Sequence, residues 1–219
     1  MKKVFLLIAL AYSGMAVNAQ KETLKTFDDS LAYAIGCDIA TGVKQMNINY
    51  DLLIQAISDC SKGKSKFKET DVKNILNEYQ MRQQKAAQEE ADKNLAEGKK
   101  FLAENSNSKS VYVTPSGLQY KILKQGQGRK PKATDKIKFH YKGTLIDGTV
   151  FDSPYDRGQP LTGEVNRFIA GWIEGLQLMP EGSKYIFYIP SNLGYGNRQA
   201  GLIPPGSVLI FEVELLEVL

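Results

Sequence analysis

The sequence predicts an α+β protein: an all-α amino-terminal segment with a long linking helix, then a carboxy-terminal antiparallel β-sheet wrapped around one short helix. Three observations carry this. Apolar residues recur at helical spacing up to about residue 104 and at every second position from Val111 onward, the periods of helix and strand. The turn chemistry changes with them, from a basic loop "SKGKSK" at 61–66 to Asp147-Gly148 inside an alternating run, a strong hairpin signal. Between the halves, Gln80 to Asn94 is almost wholly Gln, Ala, Glu, Lys and Asp, mostly good helix formers with little to bury.

The first element is a secretion signal over residues 1–19. "MKKVFLLIALAYSGMAVNAQ" has a positive start at Lys2-Lys3, an apolar run from Val4 and a small-residue cleavage site at Val17-Asn18-Ala19. The apolar run is too short to span a bilayer, which takes about 20 residues. The formal net charge of the 219-residue chain is +4, of which Lys2 and Lys3 supply two, leaving +2. That balance excludes nucleic acid as an expected partner.

Residues 20–69 read as a helical hairpin. Leu31, Ile35, Ile39 and Val43 repeat every fourth position, "MNIN" breaks the run, and Leu52, Leu53, Ala56 and Ile57 resume it. So small a segment rarely stabilises itself, so residues 28–80 are expected to pair with a second copy, giving a homodimer. Cys37 and Cys60 lie almost symmetrically about the turn at 46–49. Export makes a disulfide between them an expectation, against the alternative of two small buried thiols.

Residues 70–110 form the long connecting helix and a linker. Thr70 is placed to cap it and Asp71 suits its positive end. Val72, Ile75, Leu76 and Tyr79 give one apolar stripe before the polar stretch begins, and "ENSNSKS" ends the helix. The polar stretch offers nothing on its own chain to cover that stripe. At about 1.5 Å per residue the helix is on the order of 50 Å long and would hold the following domain at a distance.

Residues 111–219 form the sheet domain. "GLQYKILK" sets Leu118, Tyr120 and Ile122 on one face, and "KIKFHYKGTL" sets Ile137, Phe139 and Tyr141 opposite Lys136, Lys138, His140 and Lys142. Residues 166–179, "NRFIAGWIEGLQLM", fit the one helix. "KYIFYIP" is a strand, a long loop spans 191–205, and "SVLIFEVELLEV" closes the sheet.

The chemistry-bearing residues are few. His140, the single histidine, alternates with lysines and reads as a solvated sheet residue; one histidine excludes His-rich metal sites. Tyr141, Phe151, Trp172, Tyr195 and Phe211 lie on different elements, each near an element's end or a loop. Aromatics at strand spacing are usually core, but Tyr195 stands between glycines in a loop and Asp152 follows Phe151 directly.

"FHYKGTLIDGTVFDS", "IAGWIEGLQLM", "LGYG" and "GLIPPGSVLIFEVELLEV" together resemble the FKBP-type peptidyl-prolyl isomerases over about residues 118–219. The signal and the helical segment are similar to the exported Mip-type members. The resemblance implies a pocket between sheet and helix, with Trp172 as floor, Tyr141, Phe151, Phe168, Ile169 and Phe211 as walls, and Tyr195 and Ile203 from the closing loop. Asp152 sits at the rim, where it either polarises the pocket or ties Tyr141 in place; Asp152, Tyr141 and Tyr195 are the expected catalytic groups. The implied activity is X–Pro cis–trans isomerisation on unfolded or partly folded exported proteins in the periplasm, without metal or cofactor. FK506-like macrolides are implied ligands. The stretch "PLTGEV" after Gln159 departs from the family, where many members carry aromatics at the pocket edge. A holdase chaperone with a secondary pocket is the alternative reading.

Overall fold

The computed structural model describes residues 24–219; the expected signal segment, 1–19, lies outside them. The described residues fall into two compact units that divide between Lys68 and Glu69.

The first unit holds α1 (Phe27–Gly42) and α2 (Tyr50–Ser61). Thr26 caps α1 by accepting from the Asp29 N–H, while the Asp29 carboxylate accepts from the Thr26 N–H at 2.9 Å. This reciprocal box satisfies donors that the first helical turn leaves orphaned, and its hydrogen bonds hold the Asp29 pKa below the usual value. Asn49 caps α2 by accepting from the Leu52 N–H at 3.0 Å. Neither helix buries a residue. Cys37 and Cys60 are free and exposed, so the expected disulfide is not formed: no packed hairpin holds the two thiols level with each other.

The second unit begins with α3 (Glu69–Asn105), one residue ahead of Thr70, which therefore lies inside the first turn rather than capping it. The sheet that follows has β1 (Val111–Val113), β2 (Gln119–Lys124), β3 (Lys136–Thr144), β4 (Val150–Asp152), β5 (Leu161–Glu164), β6 (Lys184–Ile189) and β7 (Leu209–Val218). The order is β1-β2-β6-β7-β3-β4, with β5 pairing the other end of β3 beside β4's edge, and all pairs are antiparallel. β3 turns into β4 at Asp147-Gly148, where Gly148 takes φ +87° and the Thr149 N–H bonds the Asp147 carboxylate. A positive φ of this kind is what selects glycine at the second turn position.

Alternation along β6 and β7 puts Tyr185, Phe187, Ile189, Leu209, Phe211, Val213 and Leu215 inward. They pack with Trp172, Leu176 and Met179 from α4 (Ala170–Leu176) and the turn after it. The helix expected over 166–179 is thus seven residues long. Val165–Arg167 forms a separate 3-10 turn, and Ile169 is extended, with ψ 156°. That break frees Phe168 and Ile169 from the helix barrel and leaves them for the cavity described below.

Two expectations are corrected here. His140 does not stand in open solvent: the 3-10 turn Pro154–Arg157 lies over its strand face and sets the Tyr155 ring edge-on to the imidazole at 5.2 Å. The second half of α3 is not free of its own chain either. Ala91 is 1% exposed and Gly98 is buried, and Phe101 meets Tyr188 of β6 at 6.0 Å between ring centroids. Tyr188 alternates with the inward Phe187 and Ile189, so this contact uses the face turned away from α4. No helix among the described residues is long and apolar enough to cross a membrane.

Candidate active site

Between α4 and the inner sheet face lies a cavity of about 330 Å³ lined by Tyr141, Arg167, Phe168, Ile169, Trp172, Tyr195 and Phe211. Five chain segments converge there: β3, the break before α4, α4 itself, the long loop 190–207, and β7.

Trp172 lies in the first turn of α4 and is 3% exposed. Gly171 and Gly175 let this helix press onto the sheet. A Cβ on Gly171 would stand 2.5 Å from the Ile189 side chain, and one on Gly175 would stand 2.7 Å from the Phe187 ring. Neighbouring rings then fix the indole. Tyr141 and Phe211 meet it edge-on at centroid distances of 5.2 Å each, Phe139 at 5.4 Å, and Phe168 tilts against it at 5.1 Å. Edge-to-face packing of this kind is favourable beyond the area it buries, so four neighbouring rings hold the indole in place.

Phe151 and Ile203 belong to the same apolar cluster but not to the cavity lining. Phe151 packs edge-on against Phe211 at 5.4 Å and so backs a wall. Ile203 is 6% exposed and joins the cluster from the tip of the long loop, where it exchanges two 3.0 Å hydrogen bonds with Ala200. Tyr195 comes from the same loop and is more than a third exposed. It forms the open side of the cavity.

Asp152 ends β4 opposite Gly143 of β3. The Tyr141 hydroxyl donates to its Oδ2, so the carboxyl group fixes the phenol that lines the cavity. Of the two roles left open for Asp152, tying Tyr141 in place has this direct contact behind it.

Two residues escaped sequence reasoning. Gly143 has no side chain to offer chemistry, yet a Cβ there would meet the Phe151 ring at 2.4 Å and Phe211 at 3.0 Å; its role is the close approach it permits. Arg167 lines the cavity mouth and reaches Glu164 with its Nε at 3.5 Å. Its only sequence signal was its place just before Phe168.

Residues 127–216 match the family model described as FKBP-type peptidyl-prolyl cis-trans isomerase, and residues 28–122 match the domain amino terminal to it. The chain is 39% identical to the FKBP-type peptidyl-prolyl cis-trans isomerase FkpA of Aeromonas hydrophila, over 95% of this chain and 82% of that one. It is 38% identical to the outer membrane protein MIP of Legionella longbeachae, over 97% of this chain and 94% of that one. The crystal structure of FkpA from Escherichia coli superposes with a TM-score of 0.64 at 34% identity, covering 90% of this chain and 98% of that one.

Proposed function

This chain belongs to the FKBP-type peptidyl-prolyl cis-trans isomerases, and from that premise we propose that it speeds X–Pro rotation in exported client proteins by withholding water inside the aromatic cavity. Rotation about the X–Pro bond loses amide resonance over a barrier of roughly 18–20 kcal/mol. Left alone it takes on the order of tens to hundreds of seconds. The planar amide is the more charge-separated form and the better hydrated one. An aromatic cavity offers the amide less hydration than water does and so favours the twisted form, which is catalysis by differential binding.

The observation that carries this reading is the cavity itself: five aromatic rings and Ile169, with Arg167 beside them, around a space of about 330 Å³, and Tyr141 held by Asp152. Trp172 carries the proline ring, Tyr141 and Tyr195 flank the amide, and Asp152 acts through Tyr141. No bond is made or broken, so no nucleophile is needed. The experiment is isomerisation of a short X–Pro peptide by the chain lacking residues 1–19. Asp152→Ala should lower kcat/KM on the order of tenfold, about 1.4 kcal/mol of transition-state stabilisation. An FK506-like macrolide should compete and change Trp172 emission. Full activity in Trp172→Leu would sink the pocket assignment.

The partners are unfolded or partly folded proline-containing proteins in the periplasm, and a second copy of this chain. The exposed apolar residues of α1 and α2 support the second of these: Phe27, Leu31, Ile35, Leu52 and Ile57 are each 47–78% exposed. Large apolar side chains exposed at helical spacing on α1 suit an interaction site. The same surface also suits a holdase that binds unfolded clients directly. Suppression of aggregation of a proline-free client, retained in Asp152→Ala, would favour the holdase. Faster refolding only of proline-limited clients favours the isomerase.

A further inference from the structure

On the pocket reading above, we propose that the carboxy-terminal part of α3 braces the loop that closes the cavity, and that Asn94 is a positioning residue for Tyr195. The loop leaves β6 after Ile189 and enters β7 at Leu209. Its return limb, Pro204-Pro205-Gly206, has two successive residues without a backbone N–H, which leaves Gly206 as its one backbone donor. The limb is held from outside as well. The Asn94 side-chain amide donates to the Pro205 carbonyl at 2.8 Å, in a partly buried contact across 111 residues of sequence. Beside it, Gly206 sits so close to the helix that a Cβ there would lie 2.5 Å from the Ala91 carbonyl oxygen. Its φ of +76° excludes most side chains for a second reason.

From Gly206 the constraint runs directly to the cavity. The Gly206 N–H donates to the Gly196 carbonyl at 2.9 Å, and the Gly196 N–H donates to the Ser191 carbonyl at 2.8 Å. Tyr195 precedes Gly196, so its backbone is set by where Gly206 is held, and Gly206 is held by α3. The position of a cavity-lining ring is therefore referred to a helix that contributes no lining residue.

A helix that merely stabilised the domain would not single out this contact. The same helix makes a second one farther from the loop: the Asn105 side-chain amide donates to Gln119 Oε1 at 2.8 Å. The two asparagines form a matched pair for the test, made in the full chain. Alanine is the best helix former, so Asn94→Ala and Asn105→Ala both keep α3. Asn94→Ala should raise KM for a short X–Pro peptide about three- to tenfold, the weight of one hydrogen bond, with kcat little changed. Asn94→Asp, which keeps the shape but cannot donate as a carboxylate, should match it. Asn105→Ala should lower the melting temperature by a similar amount to Asn94→Ala and leave KM alone. Faster amide exchange at Gly196 and Gly206 in Asn94→Ala alone would support the brace. Equal KM changes in the two alanine variants, or none in Asn94→Ala, would overturn it. Trp172→Leu reports separately on the cavity: if it is inactive while Asn94→Ala keeps its KM, the pocket stands and the brace fails.

Discussion

α1 and α4 are both apolar helices, yet they end in opposite states. α1 has sixteen residues and buries none; α4 has seven and buries Gly171, Trp172, Gly175 and Leu176. What differs is the presence of a partner surface in the same chain. α4 has the inward side chains of β6 and β7, and two glycines that let it reach them. α1 offers Leu31, Ile35 and Ile39 with nothing of its own unit over them. An apolar stripe therefore states that cover is needed, while small residues beside it do not settle whether the chain supplies that cover: Gly171 and Gly175 of α4 meet the sheet, but Gly36 of α1 meets nothing within 4 Å. α3 shows both conditions along one helix: Val72, Ile75 and Leu76 are 41–57% exposed, while Ala91 is 1% exposed.

The largest expected effect comes from emptying the covered side of this comparison. Trp172→Ala removes the ring around which Phe139, Tyr141, Phe168 and Phe211 pack. It should cost about 3–5 kcal/mol of stability by urea unfolding and abolish isomerase activity. Leu31→Ala, made on a dilute unassociated chain, should change stability by less than about 0.5 kcal/mol. Similar losses in both would erase the distinction between the two helices.

The next test asks who covers α1. Ile35→Asp puts a charge on the exposed stripe. We expect light scattering at micromolar concentration to show a dimer for the parent chain and a monomer for this variant. Turnover of a short X–Pro peptide should not change, because every cavity residue lies in the second unit. A parent chain that is already monomeric would leave the stripe to clients instead.

The same contrast explains what could be read without a structure. The helix pattern, the hairpin at Asp147-Gly148 and the aromatic set were legible because each rests on local spacing or on a specific motif. Trp172, Tyr141, Phe168, Ile169, Tyr195 and Phe211 all reach the cavity. The length of α4 was not legible: Phe168 and Ile169 continue a helical apolar pattern, and only the cavity shows that they serve it from extended backbone. Gly143 was invisible because its role is an absence that lets Phe151 approach. The docked face of α3 was written in Ala91, Asn94, Gly98, Phe101, Leu102 and Asn105, at helical spacing. Small and polar residues there read as solvent-facing, since their use depends on Val208 and Pro205 more than a hundred residues away.

Glycine substitutions sharpen the comparison with opposite signs. Gly175→Ala forces a Cβ to 2.7 Å from the fully buried Phe187 ring. Overpacking of this sort costs about 1–3 kcal/mol, and the displaced helix should also weaken activity. Gly36→Ala in α1 meets nothing within 4 Å. A mid-helix glycine replaced by alanine gains about 0.5–1 kcal/mol, so thermal melting of this variant should shift upward. A downward shift would place Gly36 against a partner copy.

The smallest effect is a loss of stability at alkaline pH in the covered unit, and β6 carries it. Lys184 has its pKa raised, first by the hydrogen bond to Glu212, with Nζ 2.6 Å from Oε1, and burial opposes this. Tyr185 and Tyr188 have theirs raised by burial, and the Tyr185 hydroxyl also donates to Gln125 at 2.9 Å. In each case the folded chain holds the proton more tightly than the unfolded chain does. The resulting stability is fully present below the unfolded values, about 10 for Tyr and 10.4 for Lys, and is lost as pH rises through the folded ones. Melting temperature should therefore stay level on account of these groups between pH 7 and 9, in units well below those values, and fall above about pH 10. Lys184 is partly exposed, so solvent screening keeps its share modest. Tyr185→Phe removes the ionisable hydroxyl while keeping the ring that stacks on Tyr120 at 5.8 Å. This variant should lose the hydrogen bond to Gln125 at every pH but show a shallower decline above pH 10. A decline as steep as the parent's would mean that Tyr185 does not contribute to the alkaline limit of the sheet.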